Sequence, residues 1–191
     1  MRGRLIVVSG PSGAGKSSLI REALAAVPEL AYSVSATTRR ARPGEVDGEH
    51  YVFLSREVFE RWIEEGRFLE WAQYSNNLYG TPVGKVEELL ESGRSVILEI
   101  ELQGARQVRE KRPDAAMVFV RAPSLEETRR RLSGRATETS EALETRLATA
   151  VGEVAARDEF DYEVVNGEWE RARKDMIETM ENIVAGGKDA E

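Results

Sequence analysis

Residues 10–17 read Gly10-Pro11-Ser12-Gly13-Ala14-Gly15-Lys16-Ser17 and satisfy G-x-x-x-x-G-K-[ST] at every position. The apolar run Leu5-Ile6-Val7-Val8 precedes them, and a helical pattern of Leu19, Ile20, Ala23, Leu24 and Val27 follows. A strand that ends in a glycine-rich turn and reopens as a helix aims several backbone N–H groups at one point, where the helix N-terminus adds partial positive charge. Such a point suits a phosphate chain. The glycines let the backbone approach the anion, Lys16 reaches the β- and γ-phosphates of ATP, and the Ser17 hydroxyl is placed as a Mg²⁺ ligand. The donor nucleotide is therefore expected on Gly10, Pro11, Ser12, Gly13, Ala14, Gly15, Lys16, Ser17 and Ser18.

A chain of 191 residues buries one substantial core and leaves room for small insertions rather than a second full domain. Its 41% hydrophobic and 32% charged residues describe a soluble globular protein. No apolar run approaches the roughly 20 residues that span a bilayer, so no membrane partner is expected. Met1-Arg2-Gly3-Arg4 leads straight into a strand rather than a signal peptide, which predicts a cytoplasmic location. The absence of cysteine excludes disulfides, thiolate catalysis and Cys-ligated metal. The single histidine, His50, cannot form a His-based metal site alone and reads as a surface turn residue. A net charge of −7 argues against a general nucleic-acid binder, which needs a basic face. Positive charge is local instead. Arg39, Arg40 and Arg42 share one loop and Arg129, Arg130, Arg131 and Arg135 one segment, which suggests small anions at defined places, a solvated helix face being the other reading of the second cluster.

Short apolar runs at Leu5 to Val8, Val96 to Ile100, Met117 to Val120 and Val164-Val165 alternate with helical patterns, as in a parallel sheet covered on both faces. Thr81 as N-cap with Pro82 at the first helical position opens a helix that Gly93 closes, and Ser124 with Glu127 forms a capping box. From Glu141 to about Arg157, Leu143, Leu147, Ala150, Val151 and Val154 share a core-facing stripe. Trp169, Ala172, Met176, Ile177, Met180 and Ile183 share another. Between Ser33 and Gly80 the alternation breaks into β-leaning pieces (Tyr51 to Leu54, Phe68 to Tyr74), a short helix between Ser55 and Gly66, and the turn pair Asn76-Asn77. The expected organisation is one domain over 1–185: a core of 1–33, 81–125 and 160–185, a small mixed α/β insertion at 34–80, a helical lid at 126–159, and a frayed tail at 186–191.

Read with this insertion, the chain resembles the guanylate kinases of the P-loop nucleoside monophosphate kinase group. The resemblance rests on the P-loop, the stretch from Ser33 to Glu45 with Gly48-Glu49-His50-Tyr51, then Phe68-Leu69-Glu70, Tyr79-Gly80-Thr81, and Leu98-Glu99-Ile100-Glu101-Leu102-Gln103-Gly104. It spans essentially the whole length up to the C-terminal helix. It implies an ATP-dependent phosphorylation of GMP to GDP in purine nucleotide metabolism, with Mg²⁺, on a P-loop α/β fold. dGMP is implied as well, since no matched residue tests the ribose 2′-hydroxyl.

The resemblance also carries residue roles. Arg39, Arg42, Tyr51 and Tyr79 match a clamp on the acceptor phosphate, whose oxygens suit the paired donors of arginine and the neutral hydroxyl of tyrosine. Glu70 and Glu101 match positions that read guanine, because a carboxylate accepts from both N1–H and N2–H₂, and Ser35 and Thr81 add hydroxyl contacts to the base. Arg131, Arg135 and Arg146 match lid arginines that close over the transferring group, working with Lys16 and Arg39. Glu99, at the end of an expected parallel strand, is placed to organise Mg²⁺ through water beside Ser17, a surface carboxylate being the other reading.

The family commonly has Asp at one or both of positions 99 and 101, Gly at 136 and Asp at 167, where this chain has Glu99, Glu101, Ala136 and Gly167. Glu101 either reaches the base or acts through water. Two other readings remain beside this one: a non-catalytic scaffold domain of the same fold, disfavoured by the intact Lys16, Ser17 and lid arginines, and a kinase of the same lineage acting on a sugar bisphosphate, which has no need of Glu70 and Glu101 as guanine readers. Nothing in the sequence sets the oligomeric state.

Overall fold

The computed structural model describes residues 1–74, 76–133 and 140–186, without the side chains of 140–143. Two sheets form. The larger is all parallel and ordered β2 (Leu30–Tyr32), β7 (Ser95–Glu99), β1 (Leu5–Ser9), β8 (Ala116–Arg121), β9 (Tyr162–Val165). Central β1 is wholly buried, and the two-residue period of a strand divides its side chains between two cores. Ile6 and Val8 pack with Leu19, Ile20 and Ala23 of helix α1 (Lys16–Ala26) and with Met176, Met180 and Ile183 of α7 (Trp169–Val184). Leu5 and Val7 pack on the other side with Val86 and Leu90 of α3 (Val83–Glu91) and with Ala105 and Val108 of α4 (Leu102–Lys111).

The smaller sheet runs β4 (Val52–Phe53), β3 (Ala36–Thr37), β6 (Asn77–Pro82), β5 (Phe68–Tyr74). Helix α2 (Arg56–Glu64), capped by the Ser55 hydroxyl, lays Phe59 on Phe68 with ring centroids 4.4 Å apart. The register of β5 on β6 shifts between Phe68 and Glu70, and Phe68, Leu69 and Glu70 are all buried in succession. That irregularity turns Glu70 inward, where strict alternation would not bury three neighbours. Side chains of α4 cover the open edge of β5. Gln107 accepts from the Trp71 N–H at 3.2 Å and donates to its carbonyl at 2.8 Å, while Lys111 donates to the carbonyls of Phe68 and Leu69.

Several expectations are corrected. Pro82, not Thr81, is the N-cap of α3; Thr81 belongs to β6 and its hydroxyl is committed to Glu70. Ser124 caps α5 (Leu125–Ser133) through the Glu127 N–H, but the Glu127 carboxylate takes Arg130 and Arg131 instead of closing a capping box. Helix α6 (Ser140–Ala155) ends before a separate 3-10 turn at Arg157–Glu159. Val151 lies on its exposed side, and Trp169 is exposed at the head of α7. Strand β2, too short to show a period, is an edge strand the pattern missed. The expected Leu143 side chain, Ala136, and the tail from 187 onward fall outside the described residues.

Candidate active site

The P-loop connects β1 to α1. Gly10 has φ 140 and a Cβ there would stand 1.9 Å from the Val120 carbonyl oxygen, so no side chain fits. Gly15, at φ 85, is the N-cap of α1 and contributes no side-chain cap, leaving the first-turn N–H groups to face the cleft. The turn is braced from below. The Asn166 amide, at the end of β9, donates to the Ala14 carbonyl at 2.8 Å, and the Asn166 carbonyl accepts from Arg131 Nη2 at 2.8 Å. Sequence reasoning gave Asn166 no role, because nothing in a lone amide after a strand points 152 residues back.

Lys16 Nζ donates to the carbonyls of Gly10 at 2.5 Å and Pro11 at 3.2 Å, along a cleft of about 830 Å³ that also meets Glu99, Glu101, Arg146 and Glu153. Burial pushes its pKa down, and the carboxylates of Glu99, Glu153 and Glu101 work against that. Glu153 was overlooked. Burial raises its pKa while Lys16 lowers it, and its signal lay in the spacing: Arg146, Thr149 and Glu153 fall at i, i+3 and i+7 on one helix face.

Ser17 Oγ donates to Glu99 Oε1 at 2.7 Å, and the Tyr32 hydroxyl donates to Glu99 Oε2 at 3.4 Å. Tyr32 is a third residue the sequence did not flag. A hydroxyl beside a carboxylate is the hard oxygen set that Mg²⁺ takes, its remaining positions going to water and phosphate, so these residues fit the ion. Among the described residues no three His, Cys, Asp or Glu side chains group as a metal cage.

Two of the expected lid arginines reach the P-loop. Arg131 bonds Glu127 and Asn166 beside a groove shared with Ser12, Gly13, Lys16 and Ser18. Arg146 Nη2 donates to Ser12 Oγ at 2.7 Å. Arg129 and Arg130 pair with Glu144 and Glu127 on a solvated face. Arg135 lies outside the described residues.

A second pocket, about 250 Å³, opens beside the cleft and is lined by Ser35, Tyr51, Glu70, Tyr79, Glu101 and Gly104 among others. Glu70 is 5% exposed. Thr81 Oγ1 donates to its Oε1 at 2.6 Å, and burial raises its pKa despite that bond. Gly104 makes room for it, since a Cβ there would stand 2.6 Å from Glu70 Oε2. Glu101 is the exposed N-cap of α4, makes no cap bond with its side chain, and borders both cavities. The rings of Tyr51 and Tyr79 meet edge-on at 6.1 Å, with the Arg39 guanidinium 5.3 Å from the Tyr51 centroid. The Arg42 side chain is exposed on the same loop. His50 is exposed, its Nδ1 accepting from the Val46 N–H.

A P-loop with its lysine and hydroxyl, beside a second pocket that holds a buried carboxylate, is the arrangement of a P-loop nucleotide-binding enzyme. The family model described as guanylate kinase matches residues 2–183. A guanylate kinase of Rubrobacter xylanophilus is 78% identical over 97% of each chain, and one of Streptomyces coelicolor is 50% identical over 96% of this chain and 92% of its own. The crystal structure of guanylate kinase from Anaplasma phagocytophilum superposes with a TM-score of 0.73 at 30% identity, covering 99% of this chain and 88% of that one. The chain belongs to the guanylate kinase family, and it is a phosphotransferase.

Proposed function

We propose that the protein transfers the γ-phosphoryl group of ATP to GMP, giving ADP and GDP, with the two clefts holding donor and acceptor. The buried Glu70 carboxylate, hydrogen-bonded by Thr81 and facing a pocket beside the P-loop, carries this reading. Its oxygens accept from guanine N1–H and N2–H₂, whereas adenine would set acceptor atoms against them. Sites built on such obligatory bonds reject a mispaired analogue by roughly 10⁴ or more. Ser35 supplies a hydroxyl to the base, Thr81 acts through the Glu70 carboxylate that its hydroxyl bonds, and Glu101 reaches the base directly or through water.

The acceptor phosphate sits between Arg39, Arg42, Tyr51 and Tyr79. One of its oxygens forms a bond to the γ-phosphorus as the bond from that phosphorus to the β,γ-bridging oxygen breaks. The acceptor oxygen is already anionic, so no general base is required, and catalysis is positioning and charge stabilisation. Lys16 leaves the Gly10 and Pro11 carbonyls for the donor phosphates, while Arg131, Arg135 and Arg146 close on the transferring group. Ser17 would hold Mg²⁺ directly and Glu99 through water, and the ion would supply charge neutralisation on the donor phosphates.

Since no residue in this set tests the ribose 2′-hydroxyl, dGMP is a second acceptor. The cysteine-free sequence suits the cytoplasm, where we place the protein. A coupled ATP-dependent assay over GMP, AMP, CMP and UMP tests the reading; turnover of AMP comparable to GMP would overturn it.

A further inference from the structure

Glu45 is bonded to two arginines of the basic loop, Arg39 and Arg42. Its Oε1 accepts from Arg39 Nη2 at 2.8 Å, and its Oε2 accepts from Arg39 Nη1 at 2.9 Å and from the Arg42 backbone N–H at 2.7 Å. The Glu45 N–H donates back to the Arg42 carbonyl at 3.0 Å, so the 42–45 turn closes on itself around Gly44, whose φ is 87. Arg39 is held on its other sides as well. Nη1 also donates to the Arg40 carbonyl at 2.8 Å, and the guanidinium lies 5.3 Å from the Tyr51 ring centroid and 5.8 Å from that of Phe53. The bonds from Arg39 and then Arg42 hold the Glu45 carboxyl at about 2, so it is ionised throughout the neutral range.

We propose that Glu45 is a positioning residue for the acceptor phosphate: by taking the outer Nη1–Nη2 end of Arg39 it presents the Nε–Nη2 edge, in a fixed orientation, to two phosphate oxygens. Arginine carries five N–H donors. Glu45 and the Arg40 carbonyl use both on Nη1 and one on Nη2. The other two lie along the Nε–Nη2 edge, the spacing that pairs with phosphate bidentately; the Tyr79 hydroxyl also bonds this guanidinium and yields its donor when the phosphate arrives. Fixing a long side chain before the ligand arrives removes the ordering cost from binding.

The proposal rests on the reading of Arg39 as part of the acceptor-phosphate clamp. A carboxylate in an anion site could instead be a placeholder that the phosphate displaces. The closed turn argues against that, because departure would break the Arg42 backbone bond with both Arg39 bonds and leave the carboxylate beside an arriving dianion.

The two roles differ in sign. GMP and guanosine, which shares the base but lacks the phosphate, are titrated calorimetrically against the wild type, Glu45→Gln and Arg39→Ala. The expected result is that Glu45→Gln weakens GMP about tenfold or more while guanosine stays within about twofold, and that Arg39→Ala acts in the same way and more strongly. Tighter or unchanged GMP binding in Glu45→Gln overturns the proposal, and so does a parallel loss of guanosine, which would make Glu45 merely structural. If Arg39→Ala weakens GMP and Glu45→Gln does not, only the positioning role fails. If Arg39→Ala leaves GMP untouched, the clamp itself fails and takes the proposal with it.

Discussion

The side-chain amide of Asn166 donates to the carbonyl of Ala14 at 2.8 Å, tying the end of β9 to the crest of the P-loop. Ala14 is 1% exposed, so its carbonyl has no ready access to water when the amide is removed. Asn166→Ala is expected to cost about 1–3 kcal/mol of stability and to raise the KM for ATP while leaving that for GMP nearly unchanged. Asn166→Asp should be worse, because it sets an anionic acceptor against a carbonyl. Thermal melts and paired KM values check this; a larger effect on GMP than on ATP would contradict it.

In the proposed guanine-reading role, Glu70 trades stability for recognition. Its pKa is raised in the folded state by burial, so its contribution to stability is complete below the unfolded pKa of about 4.3 and is lost as pH rises through the folded value. Glu70→Gln removes that cost. The nucleotide-free variant should melt a few degrees higher than the wild type at neutral pH, the difference closing near pH 4. An amide offers one acceptor and one donor where guanine needs two acceptors, so the GMP over AMP ratio of kcat/KM should collapse. An unchanged ratio would sink the guanine-reading role.

Gly104→Ala is helix-favouring in isolation, by about 1 kcal/mol. Here the new methyl would meet Glu70 Oε2 at 2.6 Å and push the carboxylate off its bond with Thr81. Steady-state kinetics should show kcat/KM for GMP falling about tenfold or more, with the KM for ATP unmoved. Wild-type kinetics in this variant would mean that Glu70 is not held where base recognition needs it.

Lys16→Ala should lower kcat by about 10³-fold or more, the scale seen when a preorganised charge is removed from a transition state. Burial already lowers the Lys16 pKa, so the fold gains little from the ammonium, and the melting temperature should stay within a few degrees of wild type. Circular dichroism melts beside single-turnover assays separate the two effects. Substantial residual turnover would remove Lys16 from the mechanism.

Closure is expected when both nucleotides bind. Arg131 and Arg146 approach the P-loop from α5 and α6, while the acceptor clamp approaches from the smaller sheet, and a site that excludes water must shut on both sides. Small-angle scattering with GMP and a non-hydrolysable ATP analogue should report a smaller radius of gyration than either nucleotide alone. Equal radii would argue against it.

The central sheet was legible because β1, β7 and β8 are built around buried apolar runs bounded by turns, and the P-loop was legible because its backbone geometry demands particular residues at fixed spacing. Strand β2 was not, since three residues carry no period and its place beside β7 is a tertiary fact. Thr81 misled for a physical reason: a threonine before a proline is a good helix cap, yet its hydroxyl found a buried carboxylate across a strand pair. Asn166 and Tyr32 act on groups far away in sequence, and no local pattern encodes such a meeting; for Glu153 the helical spacing from Arg146 shows the shared face but not that Lys16 lies opposite it. Val151 and Trp169 fit the helical stripes by spacing, but the stripe is wider than the surface that covers it.

Strand β5 sends Glu70 into the second pocket and the next residue, Trp71, outward, where it is 37% exposed and its backbone N–H and carbonyl are both clasped by Gln107. Of the other two tryptophans, Trp62 lies under Arg67 on α2 and Trp169 stands at the head of α7. Only one indole is therefore joined by a single peptide unit to the carboxylate proposed to read the base. Acceptor occupancy is expected to register in the intrinsic emission of the unlabelled chain, with Trp71 as its optical reporter.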